Sequence, residues 1–204
     1  VIAIIDYEAG NLTSVARALQ HIGVACEITG NHDVIRESAR VIFPGVGAAG
    51  EAMEVIRREG LDGVIREVVA AGTPFLGICL GAQIILDGSE EDGCTPCLGI
   101  IPGTARRFVG SGIKIPHMGW NDVSVTGDHP VFAGVDARAQ FYFVHSYYPV
   151  PEKEEDVIAT TGYGVAFASV IGHGNVIATQ FHLEKSGRHG LRVLHNFCSW
   201  DGRV

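Results

Sequence analysis

The chain has 204 residues, 47% of them hydrophobic and 19% charged, with a formal net charge of -8. That balance predicts one globular domain over residues 1–204 with a sizeable core, and excludes a disordered chain. The acidic surplus and the isolated basic pairs Arg57-Arg58 and Arg106-Arg107 argue against nucleic-acid binding. No apolar run reaches the roughly 20 residues of a membrane helix, and five scattered cysteines make a disulfide framework unexpected. With no basic leader before Asp6, these features predict a cytoplasmic protein.

Val1 to Ile5 is a continuous apolar run, as in a strand buried on both faces. Tyr7 to Asn11 reads as a turn. Leu12, Val15, Ala16, Leu19 and Ile22 then recur at helical spacing until Gly23. Ala25 to Thr29 is a second strand and, after a short polar segment, Val41 to Pro44 a third, ending in Gly45-Val46-Gly47. Helices are expected over Ala49 to Glu59 and Leu61 to Ala71, then a strand over Phe75 to Cys79 and a helix over Leu80 to Leu86. This alternation predicts a mostly parallel α/β sheet with helices on both faces and chemistry at the strand carboxyl ends. Beyond Gly88 the strand-like runs are short: Ile100 to Val109, Asp122 to Thr126, Gln140 to Val144, Val157 to Thr161, Val165 to Ile171 and Val176 to Phe181. They predict an antiparallel portion in the C-terminal half, with Pro149 to Asp156 as a charged loop and a last helix over Ser186 to Trp200.

Gly77-Ile78-Cys79-Leu80-Gly81 joins a predicted strand to a predicted helix, the layout of a nucleophile elbow with cysteine as nucleophile. A helix N-terminus favours the thiolate; the plainer reading is a buried cysteine in a glycine turn. A cysteine nucleophile needs a base and an orienting acid. In Gln180-Phe181-His182-Leu183-Glu184, His182 and Glu184 are two residues apart in an extended segment and point the same way. Alone, such a pair reads as a solvated turn; beside the elbow it reads as the rest of a triad. An oxyanion hole would take one donor from the Leu80 amide and a second from Gly45-Val46-Gly47, at Val46. His21, His173, His189 and His195 have no acidic neighbour at useful spacing and read as surface or helix-packing residues. Cys94 and Cys97 form a CxxC with no second pair, so a loop with two thiols is favoured over a metal or redox site.

Together these motifs resemble the class I glutamine amidotransferases, which implies a three-layer, flavodoxin-like fold. Within that superfamily the chain is similar to the glutaminase subunits of imidazole glycerol phosphate synthases, on Asp6-Tyr7, Gly10 to Val15, Pro44 to Gly47, Pro116 to Asn121 and Val144 to Tyr147. The resemblance covers essentially the whole chain. It implies hydrolysis of L-glutamine to glutamate and ammonia through a γ-glutamyl thioester on Cys79, with His182 as general base and acid, Glu184 orienting it, and no cofactor or metal. It implies that Gly47, Gln83, His145, Ser146 and Tyr147 hold the substrate. It also implies a heterodimer with a (β/α)8 cyclase, with Trp120, Asn121 and Lys185 at the interface. There the ammonia joins a phosphorylated ribulosyl aminoimidazole-carboxamide nucleotide, giving imidazole glycerol phosphate and an aminoimidazole carboxamide ribotide in histidine biosynthesis. Leu183 stands where the family usually has proline, which predicts a looser triad turn. Ala82 stands where a larger residue is common. The competing readings are a glutaminase serving another synthase, a non-catalytic binding module and a stand-alone cysteine hydrolase.

Overall fold

The computed structural model describes residues 1–8, 11–110 and 112–203. The predicted turn before Asn11 and the Gly10 of the resemblance therefore fall partly outside the described residues, at Ala9 and Gly10. In chain order, β1 (Ile2–Ile5) leads to α1 (Leu12–His21), β2 (Cys26–Thr29), α2 (His32–Glu37) and β3 (Arg40–Gly45). Next come α3 (Ala49–Arg58), α4 (Leu61–Ala70), β4 (Phe75–Cys79) and α5 (Leu80–Ile84). Among these, α2 was not expected from periodicity. It buries Ile35 alone, so no apolar stripe announces it, and its start is set by Asn31, whose side chain accepts from the amides of Asp33 and Val34.

The second half continues with β5 (Gly88–Ser89), β6 (Thr95–Pro96), β7 (Gly103–Arg107), β8 (His117–Asp122), β9 (Ser124–Val125), β10 (Gln140–His145) and β11 (Tyr147–Pro151). It closes with β12 (Val157–Tyr163), β13 (Val165–His173), β14 (Val176–Thr179) and α6 (Gly187–Ser199). The short strands β5 and β6 were not expected, and two longer strands also differ from expectation. The His117–Asp122 stretch forms β8, and Pro149 to Pro151 belong to β11, not to a loop. Neither carries a long apolar run. Each is held by backbone pairing to a distant strand, β8 to β10 and β11 to β7.

The main sheet has eight strands in the order β2-β1-β3-β4-β14-β13-β12-β9. From β2 to β14 every pairing is parallel, and from β13 outward every pairing is antiparallel. Both faces of the central strands are covered, which is why they read as continuous apolar runs. Ala3 and Ile5 of β1 join one core with α3 and α4; Ile2 and Ile4 join the other with α1 and α6. Among the described residues, no helix is long and apolar enough to cross a membrane.

Register places the chemistry. Gly45 is paired with Cys79, and Thr179 with Ile78. The carboxyl ends of β3, β4 and β14 therefore lie side by side, with β4 in the middle. The helix after β4 can lie this close only because of glycine: a Cβ at Gly81 would overlap the Phe43 carbonyl oxygen, and one at Gly77 would stand 2.9 Å from the Gly81 backbone. Gly81→Ala is accordingly expected to cost about 1–3 kcal/mol through overpacking. Gly63→Ala, in α4 with nothing near the added methyl, is expected to stabilise the chain by about 0.5–1 kcal/mol. Urea unfolding measures both; equal effects would show that the close approach at Gly81 is not a constraint.

Candidate active site

Cys79 ends β4 and caps α5 with φ 56° and ψ -101°, a region side-chain-bearing residues seldom adopt. Such strain costs on the order of 1–3 kcal/mol. Phe75, Leu76 and Ile78 on the same strand are fully buried, each contributing about 1.5–3 kcal/mol, so the strand holds the strained turn with stability to spare. The result aims Cys79 Sγ into a cavity of about 290 Å3, lined also by Val46, Gly47, Gln83, His145, Tyr147 and His182. That is the lower end of the range for small-molecule sites. A larger cavity, about 690 Å3, lies away from Cys79 between β9 and the start of β10 and touches none of the triad.

His182 follows β14 and is tied to β10 by its amide, which donates to the Tyr142 carbonyl at 2.9 Å. Its Nδ1 bonds Glu184 Oε1 at 2.8 Å, and both side chains are almost wholly buried, 2% and 1% exposed. The looser turn predicted from Leu183 is not found. Leu183 is itself buried in the core beside Phe181 and Leu194, and the Ser186 hydroxyl closes the turn on the His182 carbonyl. Packing and a side-chain bond thus do the work that proline would do. Burial acts to lower the His182 pKa, but the facing Cys79 sulfur and the Glu184 carboxylate outweigh it and raise it. Nε2 faces Cys79 without completing an aligned hydrogen bond.

Leu80 begins α5 at the cavity wall, and Val46, just past β3, lines the same cavity. The Val46 amide faces the Tyr7 hydroxyl, whose pKa burial pushes up to about 12 while that amide favours the phenolate. Tyr7 is fully buried and stacked on Phe43 at 4.9 Å, outside the cavity lining. The contact between amide and hydroxyl falls short of a well-formed hydrogen bond and leaves the hydroxyl without a full partner.

A cysteine on a strained elbow, backed by a buried His–Glu pair, is the arrangement of an acyl-transfer site. A family model of glutamine amidotransferase class-I matches residues 3–199. The chain is 49% identical to imidazole glycerol phosphate synthase subunit HisH of Pseudomonas putida, over 99% of this chain and 98% of that one. It is 52% identical to the subunit of the same name from Nitratidesulfovibrio vulgaris, over 97% and 95%. The chain belongs to the HisH family of class-I glutamine amidotransferases. Among solved structures, a chain of PurLQS from Thermotoga maritima superposes with a TM-score of 0.77 at 18% identity over 97% of both chains. A glutamine amidotransferase gives 0.73 at 20% identity over 99% of both. At those identities the likeness speaks for the fold alone.

In this HisH-family chain the structure gathers all the residues expected to hold substrate. Gly47, with φ 98°, Gln83, His145, Ser146 and Tyr147 ring the cavity with Cys79. Two further residues have roles that motif reading did not single out. Gln180 Nε2 donates to Cys79 Sγ at 3.7 Å, and Gln180 Oε1 accepts from Gln83 Nε2 at 3.1 Å. Its place two residues before His182 was the available signal. Glu91 lines the cavity and accepts from the Ala49 amide at 2.7 Å; it lies in an acidic run that reads as a solvated loop, so nothing local marks it. His173 is exposed, as expected of a surface residue, and it also bonds buried Asp156 at 2.9 Å, a pairing made between the turn before β12 and the end of β13 and invisible in local spacing. Cys94 is exposed and Cys97 buried.

Trp120 and Met118 alternate outward on β8, 54% and 63% exposed. Lys185 Nζ lies 5.9 Å from the Tyr142 ring, and that ring meets Trp120 edge-on at 6.0 Å. Trp120, Tyr142 and Lys185 thus form one exposed strip beside the triad turn. Asn121 lies half-buried beneath it.

The buried histidines have opposite linkage. Burial lowers His117 to about 4 and His145 to about 3. Each takes up a proton more readily in the unfolded chain, so each withdraws stability as pH falls below about 6.5. The raised His182 adds stability that is complete below about 6.5 and lost as pH climbs through its folded value. His117→Phe should therefore make the fall in unfolding free energy between pH 6.5 and 4 shallower, by up to about 1.4 kcal/mol per pH unit. Denaturant melts at stepped pH measure this, and parallel curves for variant and wild type would refute it.

Proposed function

We propose that Cys79, His182 and Glu184 carry out the glutaminase reaction of this HisH-family chain, which releases ammonia from L-glutamine for a cyclase in histidine biosynthesis. The observation that carries the assignment is the strained Cys79 facing a buried His182–Glu184 pair. His182 takes the thiol proton, and the sulfur attacks the carboxamide carbon. The carbonyl electron pair moves to oxygen, then returns as the carbon–nitrogen bond breaks. His182 hands its proton to the departing nitrogen, giving ammonia and a γ-glutamyl thioester. Water, deprotonated by the same ring, attacks the thioester and releases glutamate and the thiol. Glu184 fixes the ring and favours its charged form in each half-reaction. Among the lining residues, Glu91 is the carboxylate available to the substrate's ammonium group. Gly47, Gln83 and His145 to Tyr147 supply the remaining walls.

The Leu80 amide is the first oxyanion donor and the Val46 amide the second. In this reading the Val46 amide, drawn toward Tyr7, is the donor still to be turned onto the oxyanion, and a partner that turns that peptide would switch the enzyme on. The partner is read as the cyclase, docked on Trp120, Asn121 and Lys185; an exposed tryptophan beside a methionine suits such an interface. We place the pair in the cytoplasm, in keeping with five unpaired cysteines. The intact His182–Glu184 bond disfavours a non-catalytic binding module.

Glutamate release should be weak from the chain alone and rise at least tenfold with cyclase and its nucleotide ligand; a rate indifferent to the partner defeats the coupling. Cys79→Ala should abolish release yet still bind the cyclase in gel filtration. Loss of the complex would assign Cys79 a structural role instead. Tyr7→Phe keeps the stacking on Phe43 but frees the Val46 amide. Its partner-free rate should rise several-fold, and an unchanged ratio of coupled to uncoupled rates would show that Tyr7 does not restrain that peptide.

A further inference from the structure

His117, buried and outside the cavity lining, has no part in the chemistry above. His117 of β8 is paired in register with His145 of β10, and its ring is sandwiched between Phe143 at 4.8 Å and Tyr163 at 4.0 Å. His117 Nδ1 lies 2.9 Å from His145 Nε2. His145 Nδ1 lies 2.7 Å from the Tyr147 carbonyl oxygen, and Asn121 Nδ2 lies 3.2 Å from His117 Nε2.

Donor and acceptor chemistry allows one arrangement of protons for neutral rings. A carbonyl only accepts, so His145 Nδ1 carries its hydrogen. His145 Nε2 is then a lone pair, so the hydrogen between the rings sits on His117 Nδ1. That leaves His117 Nε2 as the acceptor for the Asn121 amide, whose nitrogen also donates to the Gly162 carbonyl at 3.0 Å. The Tyr147 carbonyl receives a second bond from Gln83 at 3.0 Å, and Gln83 continues through Gln180 to Cys79 Sγ. One unbroken chain thus runs from the strand bearing Trp120 to the nucleophile. Both rings are buried and held neutral. Reversing either tautomer would set two donors or two lone pairs face to face between buried rings.

We infer that His117 is a positioning residue for the glutamine pocket: held by Asn121 on one side, it donates to His145 Nε2 on the other and so steadies the ring that clamps the Tyr147 carbonyl, tying the substrate-holding wall to the exposed β8 strand. The inference rests on the assignment of Gln83 and His145 to Tyr147 as substrate contacts. It names a residue outside the cavity lining and gives it a role in substrate affinity rather than in bond breaking.

The test uses this chain in complex with a cyclase and its nucleotide ligand. His117→Phe keeps the aromatic sandwich and removes both ring nitrogens. An unpaired buried group of this kind corresponds to a loss of about tenfold, expected as a rise in KM for glutamine with a smaller change in kcat. His117→Asn places an amide nitrogen near the former Nδ1, still able to donate to His145, and should recover most of that loss. Nitrogen-15 spectra of labelled histidines should show both wild-type rings neutral at pH 7 with the hydrogen on Nδ1, and in His117→Phe a His145 ring of the same tautomer whose Nε2 signal moves because its donor is lost. A wild-type ring protonated on Nε2 overturns the proposal, as does a glutamine KM in His117→Phe equal to wild type, or an asparagine variant no better than phenylalanine. Gln83→Ala in the same assay separates the two readings. An unchanged KM there removes the pocket assignment; a raised KM there beside an unchanged one in His117→Phe removes the positioning role alone.

Discussion

The site depends on how closely the turn after β4 can approach its neighbours. Cys79 is held at positive φ because α5 must start immediately where β4 ends, and Gly77 and Gly81 leave no atoms in the way of Ala178 and the Phe43 carbonyl. That closeness brings the Leu80 amide, the Gly45–Gly47 segment and the sulfur to one cavity wall. A few kcal/mol of backbone strain is a small cost against the burial of β4 on both faces. Chemistry is therefore concentrated at the most rigidly held point of the sheet rather than on a loose loop.

Around that point the structure divides its tasks between faces of the molecule. The triad is carried by the parallel part of the sheet, through the ends of β4 and β14. The substrate wall and the exposed strip are carried by the antiparallel pair β8–β10 and by β11. The two parts meet where the His182 amide bonds Tyr142 and where Gln83 bonds the Tyr147 carbonyl. A contact made on Trp120 consequently lies one strand away from the groups that hold glutamine. Tyr7 and Val46 lie just past the ends of β1 and β3, so the proposed restraint on the oxyanion donor and the shaping of the substrate wall sit on different strands.

Local sequence determined β1, β3 and β4, because a strand buried on both faces must be apolar throughout, and it determined five of the six helices together with the elbow, because a turn this tight requires its glycines. His182 and Glu184 were legible as a pair because two-residue spacing in extended backbone puts them on one side. The short polar helix at His32–Glu37 was not legible, since one buried isoleucine makes no periodic pattern; nor was β8, whose residues alternate between a buried histidine and an exposed tryptophan without an apolar run. Tertiary structure alone decided what long-range contacts create: the pairing of His117 with His145, the bond between His173 and Asp156, the arrival of Glu91 at the cavity and of Gln180 beside Cys79. Each depends on where two distant segments meet, which is not encoded in residue type or local spacing.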